Sequence, residues 1–440
     1  MSSLIIKNAR IINDTEELSS DILIEDGIIT KMEKNIMLCC NDESIDASNY
    51  LVFAGGIDPH VHLQLPTPAG ASSDDFISGS KAAIAGGTTY FIDFVTPRKG
   101  ESLKKALQYR LKEAENSLLD FNLHIGISWF DDNIIEEMKW CVNVAGIKSF
   151  KVYLAYKGSI GLELSELEQV MRKAAFLGAI VLVHCEEGDE ILNLQQAFIK
   201  DGKTQPRYHA LSRPAVTEAE SVRKVLDLVR KTHCKTYIVH TSTAASVEHI
   251  RQAKKEGLPV FCETCPQYLL LDDSVYEKPI PESLKYVISP PLRKKEDQLA
   301  LWEGIGDFTI DTIATDHCPF NTVGQKDKGL NNFTRIPNGA GGIEFRLALL
   351  YTYGVLGKRI TLQRFVALTS SNAARIFGLF PQKGSVSVGA DADFVLWNTN
   401  STSIISAKHQ IQQCDANIYE GFELKGSPFL VVRKGIVEIP

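Results

Sequence analysis

Eight short apolar runs punctuate the middle of this chain: VFAGGIDPHVH, TTYFIDFV, NLHIGISWF, IKSFKVYLAY, IVLVHCE, TYIVHTS, PVFCETCP and TIATDHCP. Their apolar stretches have strand length, and most are rich in β-branched or aromatic residues. Between most of them lie amphipathic segments at helical spacing, such as LSELEQVMRKAAFLG and EAESVRKVLDLVRK, where Val222, Leu226 and Val229 share one stripe. Strand-type runs alternating with helices read as parallel βα units. Eight units between Ala54 and Phe380 have the count and the length of a (β/α)8 barrel of the TIM type. The stretch from Gln267 to Asp311, which joins the seventh run to the eighth, is too long for a simple βα step. It reads as an excursion to the active site.

The two ends of the chain have another texture. LIIKNARIIN, DILIEDGIITKM and ESIDASNYLVFAG near the start, and GSVSVGADADFVLWN and PFLVVRKGIVEIP near the end, alternate apolar and polar residues around turns such as Asp26-Gly27. They predict a small β-sandwich domain made by both termini, residues 1–53 and 381–440, beside a barrel over 54–380.

Composition narrows the function classes. With 44% hydrophobic and 23% charged residues the chain is ordinary globular material, which excludes a disordered or collagenous protein. A net charge of −7 leaves no basic surface for phosphates, so no nucleic-acid partner is expected. No run approaches the ~18 apolar residues of a membrane span, so no membrane partner is expected either. MSSLIIKNARIIND lacks a basic stretch followed by an apolar one, which predicts a cytoplasmic location. The nine cysteines are odd in number and scattered, unlike a disulfide framework, and are expected to be reduced and mostly buried. Cys262 and Cys265 form a lone CxxC, read as two strand or turn cysteines.

Six ionisable residues interrupt five of the apolar runs near their C-terminal ends: His60 and His62 on the first, Lys151 on the fourth, His184 on the fifth, His240 on the sixth and Asp316 on the eighth. In a barrel these ends converge on one mouth. His60 and His62 share a strand face, because side chains repeat every second residue, and could bind one metal. Taken alone, such a pair is more often two surface or core histidines; with the rest of the set the metal reading prevails. A lysine in SFKVYLAY should be buried, at a cost unless it is paired or neutralised. A salt bridge would answer this. So would reaction with CO2, since a carbamate offers two oxygens and a negative charge and could bridge two metals. His184 and His240 could be hydrogen-bonded core histidines or a second metal site. Asp316 could ligate a metal and accept a proton, or could be a turn or helix-capping aspartate. The adjacent His317 is expected to point away from the metals.

Beyond these residues, GGIDPHVHLQLP, AGGTT, FKVYLAYKG, YHALSRP, ETCPQYLLLDDS, SPPLR, TDHCPFN and IPNGAGG occur in an order that resembles the cyclic amidohydrolases, in their dihydropyrimidinase/hydantoinase branch. The resemblance covers nearly the whole chain. It implies a barrel with a β-sandwich from both termini and two divalent metal ions, commonly zinc, bridged by a carboxylated lysine. The first metal would take His60, His62, Asp316 and Lys151, and the second His184, His240 and Lys151. Tyr156, in LAYKG, would stabilise the oxyanion. Ser289, in SPPLR, and Asn338, in IPNG, would bind the substrate's ring amide, largely through backbone groups. The activity implied is hydrolysis of a dihydropyrimidine or 5-substituted hydantoin, a small cyclic amide, to an N-carbamoyl amino acid, by a homotetramer.

Some features depart from that pattern. Cys185-Glu186-Glu187-Gly188-Asp189 follows His184 where the branch has alanine or proline before its acidic residue, and Asn331-Asn332-Phe333 stands where an acidic pair is common. The C-terminal tail is short for a family that uses it at subunit contacts. Allantoinase and dihydroorotase share the metal set, but dihydroorotases carry HxHxR, whose arginine holds a substrate carboxylate, where this chain has Gln64. Non-catalytic scaffold relatives have lost metal ligands, whereas all six positions are filled here.

Overall fold

The computed structural model describes residues 3–37 and 43–439. The chain opens with strands Leu4–Ile12 (β1), Glu17–Glu25 (β2), Ile28–Glu33 (β3), Glu43–Asp46 (β4) and Leu51–Ala54 (β5). Then come Gly56–Val61 (β6), Thr88–Val95 (β7), Asp120–Gly126 (β8), Ser149–Tyr153 (β9), Ile180–His184 (β10), Lys235–Ile238 (β11), Val260–Thr264 (β12) and Thr312–Ile313 (β13). It closes with Phe394–Ile404 (β14), Glu423–Arg433 (β15) and Ile436–Glu438 (β16).

Each of the eight apolar runs contributes one strand of β6–β13, and these pair in chain order as one parallel sheet. The ring is completed where β13 returns to β6. A parallel bridge joins Val61 to His317, and the His62 N–H donates to the His317 carbonyl at 2.8 Å. Toward the start of the same two strands the fully buried Arg346 donates to the carbonyls of Ile57 (2.9 Å) and Ile313 (3.0 Å). The period of two decides what faces where. Phe150 and Val152 of β9, and Val181 and Val183 of β10, join the main core cluster that the surrounding helices also build. Lys151 and Tyr153, with their partners Leu182 and His184, take the other face and point into the barrel. Helices Leu164–Phe176 and Ala215–Thr232 form where the apolar spacing predicts them, and Val222, Leu226 and Val229 are buried on one stripe.

The termini form the expected β-domain, whose strands join in a single sheet that branches at β1. β1 pairs with β2 on one side and with both β4 and β5 on the other. Ile22, Ile24 and Ile29 from β2 and β3 share a buried cluster with Phe394, Leu396, Leu430 and Val432 from β14 and β15. The sheet therefore folds back over its own core. Its other face, through Phe53, Val395, Trp397 and Val431, belongs to the barrel's cluster. The Asp26-Gly27 turn has positive φ at both residues, as a tight hairpin requires. One strand-like stretch differs from expectation: GSVSV, 384–388, is not a strand. Beyond it, the main chain of Gly389 and Ala390 bonds to Ile29 instead, and β14 begins only at Phe394.

Seven cysteines lie among the described residues, all free, and six of them are buried, including Cys262 and Cys265. Cys39 and Cys40 fall outside the described residues. No helix among those described is long and apolar enough to cross a membrane.

Candidate active site

The ends of β6, β9, β10 and the segments after β11 and β13 open into one cavity of ≈ 770 Å³. His60, His62, Lys151, Tyr156, His184, His240, Ser289, Asp316 and Asn338 all line it. The nine residues singled out in the sequence, spread over some 280 positions, are thus brought to one mouth, the geometry that a parallel barrel imposes on the C-terminal ends of its strands.

His62 Nε2 is 3.1 Å and His60 Nε2 3.2 Å from Asp316 Oδ1. One ligand atom from each of these three residues lies within 4.8 Å of the other two. The second imidazole pair adjoins the first. The His184 and His240 ring centroids are 4.6 Å apart, and those of His60 and His240 are 5.4 Å apart. Lys151 Nζ sits 5.1 Å from the ring centres of Phe94 and Tyr153. Phe94 in turn touches His60 and His62, and Tyr153 touches His184, so the amine lies between the two pairs.

Electrostatics follow from burial. Desolvation pushes His60 and His240 well below the ordinary imidazole range and lowers His184 as well. These rings are therefore neutral at pH 7, the state a metal ligand needs. Burial also brings the Lys151 amine down to about 8, against the pull of Asp316 and Glu263. For Asp316 burial acts upward, but the neighbouring His60 and His62 imidazoles, the latter by hydrogen bonding, and the Lys151 amine outweigh it and hold the carboxyl at about 2.

Hydrogen bonding shows whether this set fits metal ions. His60 Nε2, His62 Nδ1 and Lys151 Nζ are buried and have no hydrogen-bond partner among the described residues. Orphaned buried polar atoms are costly. Three of them beside a carboxylate, with neutral imidazoles converging, fit divalent cations bound among them. A second acidic group, Asp120, Asp391 and Asp393, does not: Lys383 Nζ stands at 3.1, 2.8 and 2.5 Å from the three and supplies the positive charge itself.

Tyr156 is carried by a tight loop after β9. A Cβ on Gly161 would stand 2.1 Å from the Ala155 carbonyl oxygen, and one on Gly188 2.6 Å from that of Leu154, so the loop packs this closely only against glycine. Tyr156, His240 and Asp316 all have positive φ (59°, 37° and 53°), a left-handed backbone that costs roughly 1–3 kcal/mol per residue and clusters at functional sites. Burial raises the Tyr156 phenol, while Arg213, Ser289 and Asn338 beside it act to lower it.

Two carboxylates not singled out in the sequence stand behind the candidate ligands. Glu263, on β12, accepts from His60 Nδ1 (2.7 Å), from the His240 N–H (2.9 Å) and from the Tyr237 hydroxyl (2.8 Å). Burial lifts this carboxyl to about 7. Glu186 accepts from His184 Nε2 at 2.7 Å and from Arg213, whose guanidinium lies 5.3 Å from the Tyr156 ring centre. A signal for Glu263 was present, since it interrupts an apolar run near its C-terminal end just as Lys151 does. His317, as expected, is turned away: its Nε2 meets Asp74 at 3.0 Å, and its Nδ1 accepts from Gly342 and Ile343. Gln64 does not line the cavity.

Residues 51–437 match the model of the amidohydrolase family. A D-hydantoinase of Geobacillus stearothermophilus is 42% identical over 98% of this chain and 92% of its own length. A D-phenylhydantoinase of Escherichia coli is 38% identical over 98% of this chain and 93% of its own. The crystal structure of dihydropyrimidinase from Brevibacillus agri superposes with a TM-score of 0.98 at 38% identity, over 99% of this chain and 95% of that one. The chain belongs to the amidohydrolase family, in its hydantoinase and dihydropyrimidinase branch.

Proposed function

We propose that this amidohydrolase opens the ring of a dihydropyrimidine or a 5-substituted hydantoin by hydrolysis, releasing an N-carbamoyl amino acid. The protein is an enzyme, a cyclic amidohydrolase; the substrate, the metals and the residue roles are our reading. The observation that carries it is the sharing of one cavity by the imidazole–carboxylate–lysine cluster and by Tyr156, Ser289 and Asn338. The catalytic unit is taken as residues 54–380.

His60, His62, Asp316 and a carboxylated Lys151 would hold one divalent ion, and His184, His240 and the same Lys151 group the other. Bound there, two zinc ions would supply a water acidic enough to attack at neutral pH and would polarise the ring carbonyl. Asp316, ionised at neutral pH, takes the proton of the attacking water and returns it to the departing ring nitrogen. The Tyr156 hydroxyl, kept protonated by burial, donates to the carbonyl oxygen as negative charge develops there. Ser289 and Asn338 hold the ring amide, largely through their main chains. Water adds across the C–N bond, and no covalent enzyme intermediate is required. Assembly as a cytoplasmic homotetramer accompanies this reading.

The test is turnover of dihydrouracil, dihydrothymine, hydantoin, phenylhydantoin, allantoin and dihydroorotate by zinc-loaded protein. Ring opening among the first four supports the proposal. Activity confined to allantoin or dihydroorotate contradicts it. Absence of both turnover and bound metal would point to a scaffold.

A further inference from the structure

Lys326 is 1% exposed, yet no carboxylate pairs with it among the described residues. Its Nζ donates to two main-chain carbonyls, Val287 at 2.9 Å and Pro337 at 3.1 Å. Val287 lies two residues before Ser289, and Pro337 immediately precedes Asn338. The two segments are also joined directly, since the Gly339 N–H donates to the same Val287 carbonyl at 3.1 Å. The turn Lys326–Gly329 is pressed onto this junction: a Cβ on Gly329 would stand 2.2 Å from Ile336 Cγ1 and 2.7 Å from the Ile336 nitrogen.

A buried cation without a counter-ion is expensive, and carbonyl dipoles offset that only in part. An apolar side chain of the same length would serve packing better. What an apolar residue could not do is hold two carbonyls from separate segments at a fixed distance from one nitrogen. We infer that Lys326 is a positioning residue for substrate binding, tying the backbone that carries Ser289 to the backbone that carries Asn338. The inference rests on the proposed function, in which those two residues hold the ring amide. Burial brings the Lys326 amine down to about 7, opposed only by the Cys414 and Cys318 thiols, in keeping with a group that nothing acidic stabilises.

The experiment compares wild type with Lys326→Met, which keeps the stem and removes the donors. KM for a cyclic amide substrate should rise about tenfold or more, as expected on loosening groups that bind substrate, with kcat changed far less and zinc content unaltered. Hydrogen exchange should quicken together over 287–291 and 336–340 and stay unchanged at the barrel strands. Lys326→Gln, which keeps two N–H donors on a shorter stem, should fall between the two. A folded, zinc-loaded K326M with wild-type KM overturns the substrate role, and unchanged exchange in both segments overturns the tie. Should K326M not fold, K326Q decides alone: a smaller rise in KM with quickened exchange over both segments supports the inference, and wild-type KM or unchanged exchange overturns it. Failure of the functional reading shows separately, as absence of wild-type turnover on any cyclic amide, and exchange then still decides the tie.

Discussion

Glu263 Oε1 lies 2.7 Å from His60 Nδ1 and so determines which nitrogen of that imidazole is left to face the cavity. With the Nδ1 hydrogen directed at the carboxylate, Nε2 keeps its lone pair beside Asp316. The same oxygen accepts the main-chain N–H of His240, so one carboxylate orients a ligand of each proposed metal. Glu263→Ala should weaken zinc binding by about 10–100-fold, the usual scale for losing such a partner. Chelator competition measures this, and an unchanged affinity would remove Glu263 from the metal centre.

Tyr156→Phe keeps the ring against His184 and Arg213 and deletes the hydroxyl. kcat should fall by roughly 10²–10³, as for the loss of one oxyanion donor, at constant zinc content. A near-normal kcat would exclude the phenol from the reaction.

Asp316→Asn retains a ligand oxygen but cannot accept a proton. Activity should drop by several orders of magnitude with circular dichroism and melting temperature preserved. Retention of more than about a tenth of the activity would rule out its role as base.

His209 donates from Nε2 to the Ile288 carbonyl at 2.7 Å, and burial lowers the ring from its ordinary 6.5 to about 3. The unfolded chain therefore binds one more proton than the folded one between those values. Stability should fall as pH drops from about 6.5 toward 3. His209→Gln can keep a donor to Ile288 and cannot titrate, so its urea midpoint should decline less over that range. Parallel curves for the two proteins would contradict the assignment.

The strands and the candidate ligands were legible for a shared reason. A parallel barrel needs continuous apolar runs, so an ionisable residue near the end of one stands out in the sequence alone. Nothing local marks a group whose partner is distant in sequence. Glu263 serves His60, Lys326 serves Val287 and Pro337, and Arg213 lies over Tyr156, and each pairing exists only once the chain has folded. The GSVSV stretch was misread because alternation alone does not say whether a neighbouring strand is available to pair with it.

The central claim is a two-metal centre bridged by a carboxylated Lys151. Its amine is buried, lies between the two imidazole pairs and has no hydrogen-bond partner among the described residues, and burial holds it near 8, where an unprotonated fraction can react with CO2. Lys151→Ala should stay folded, bind little zinc and be inactive, with partial recovery on adding zinc and a small carboxylate such as acetate. Lys151→Arg should not recover, because the guanidinium fills the space and stays charged. The most direct measurement is ¹³C NMR of the zinc-loaded enzyme equilibrated with ¹³CO2 at pH 7–8. A carbamate resonance that is present in active wild type and absent from Lys151→Ala is the predicted result. A fully active, zinc-loaded enzyme without that resonance would contradict the account.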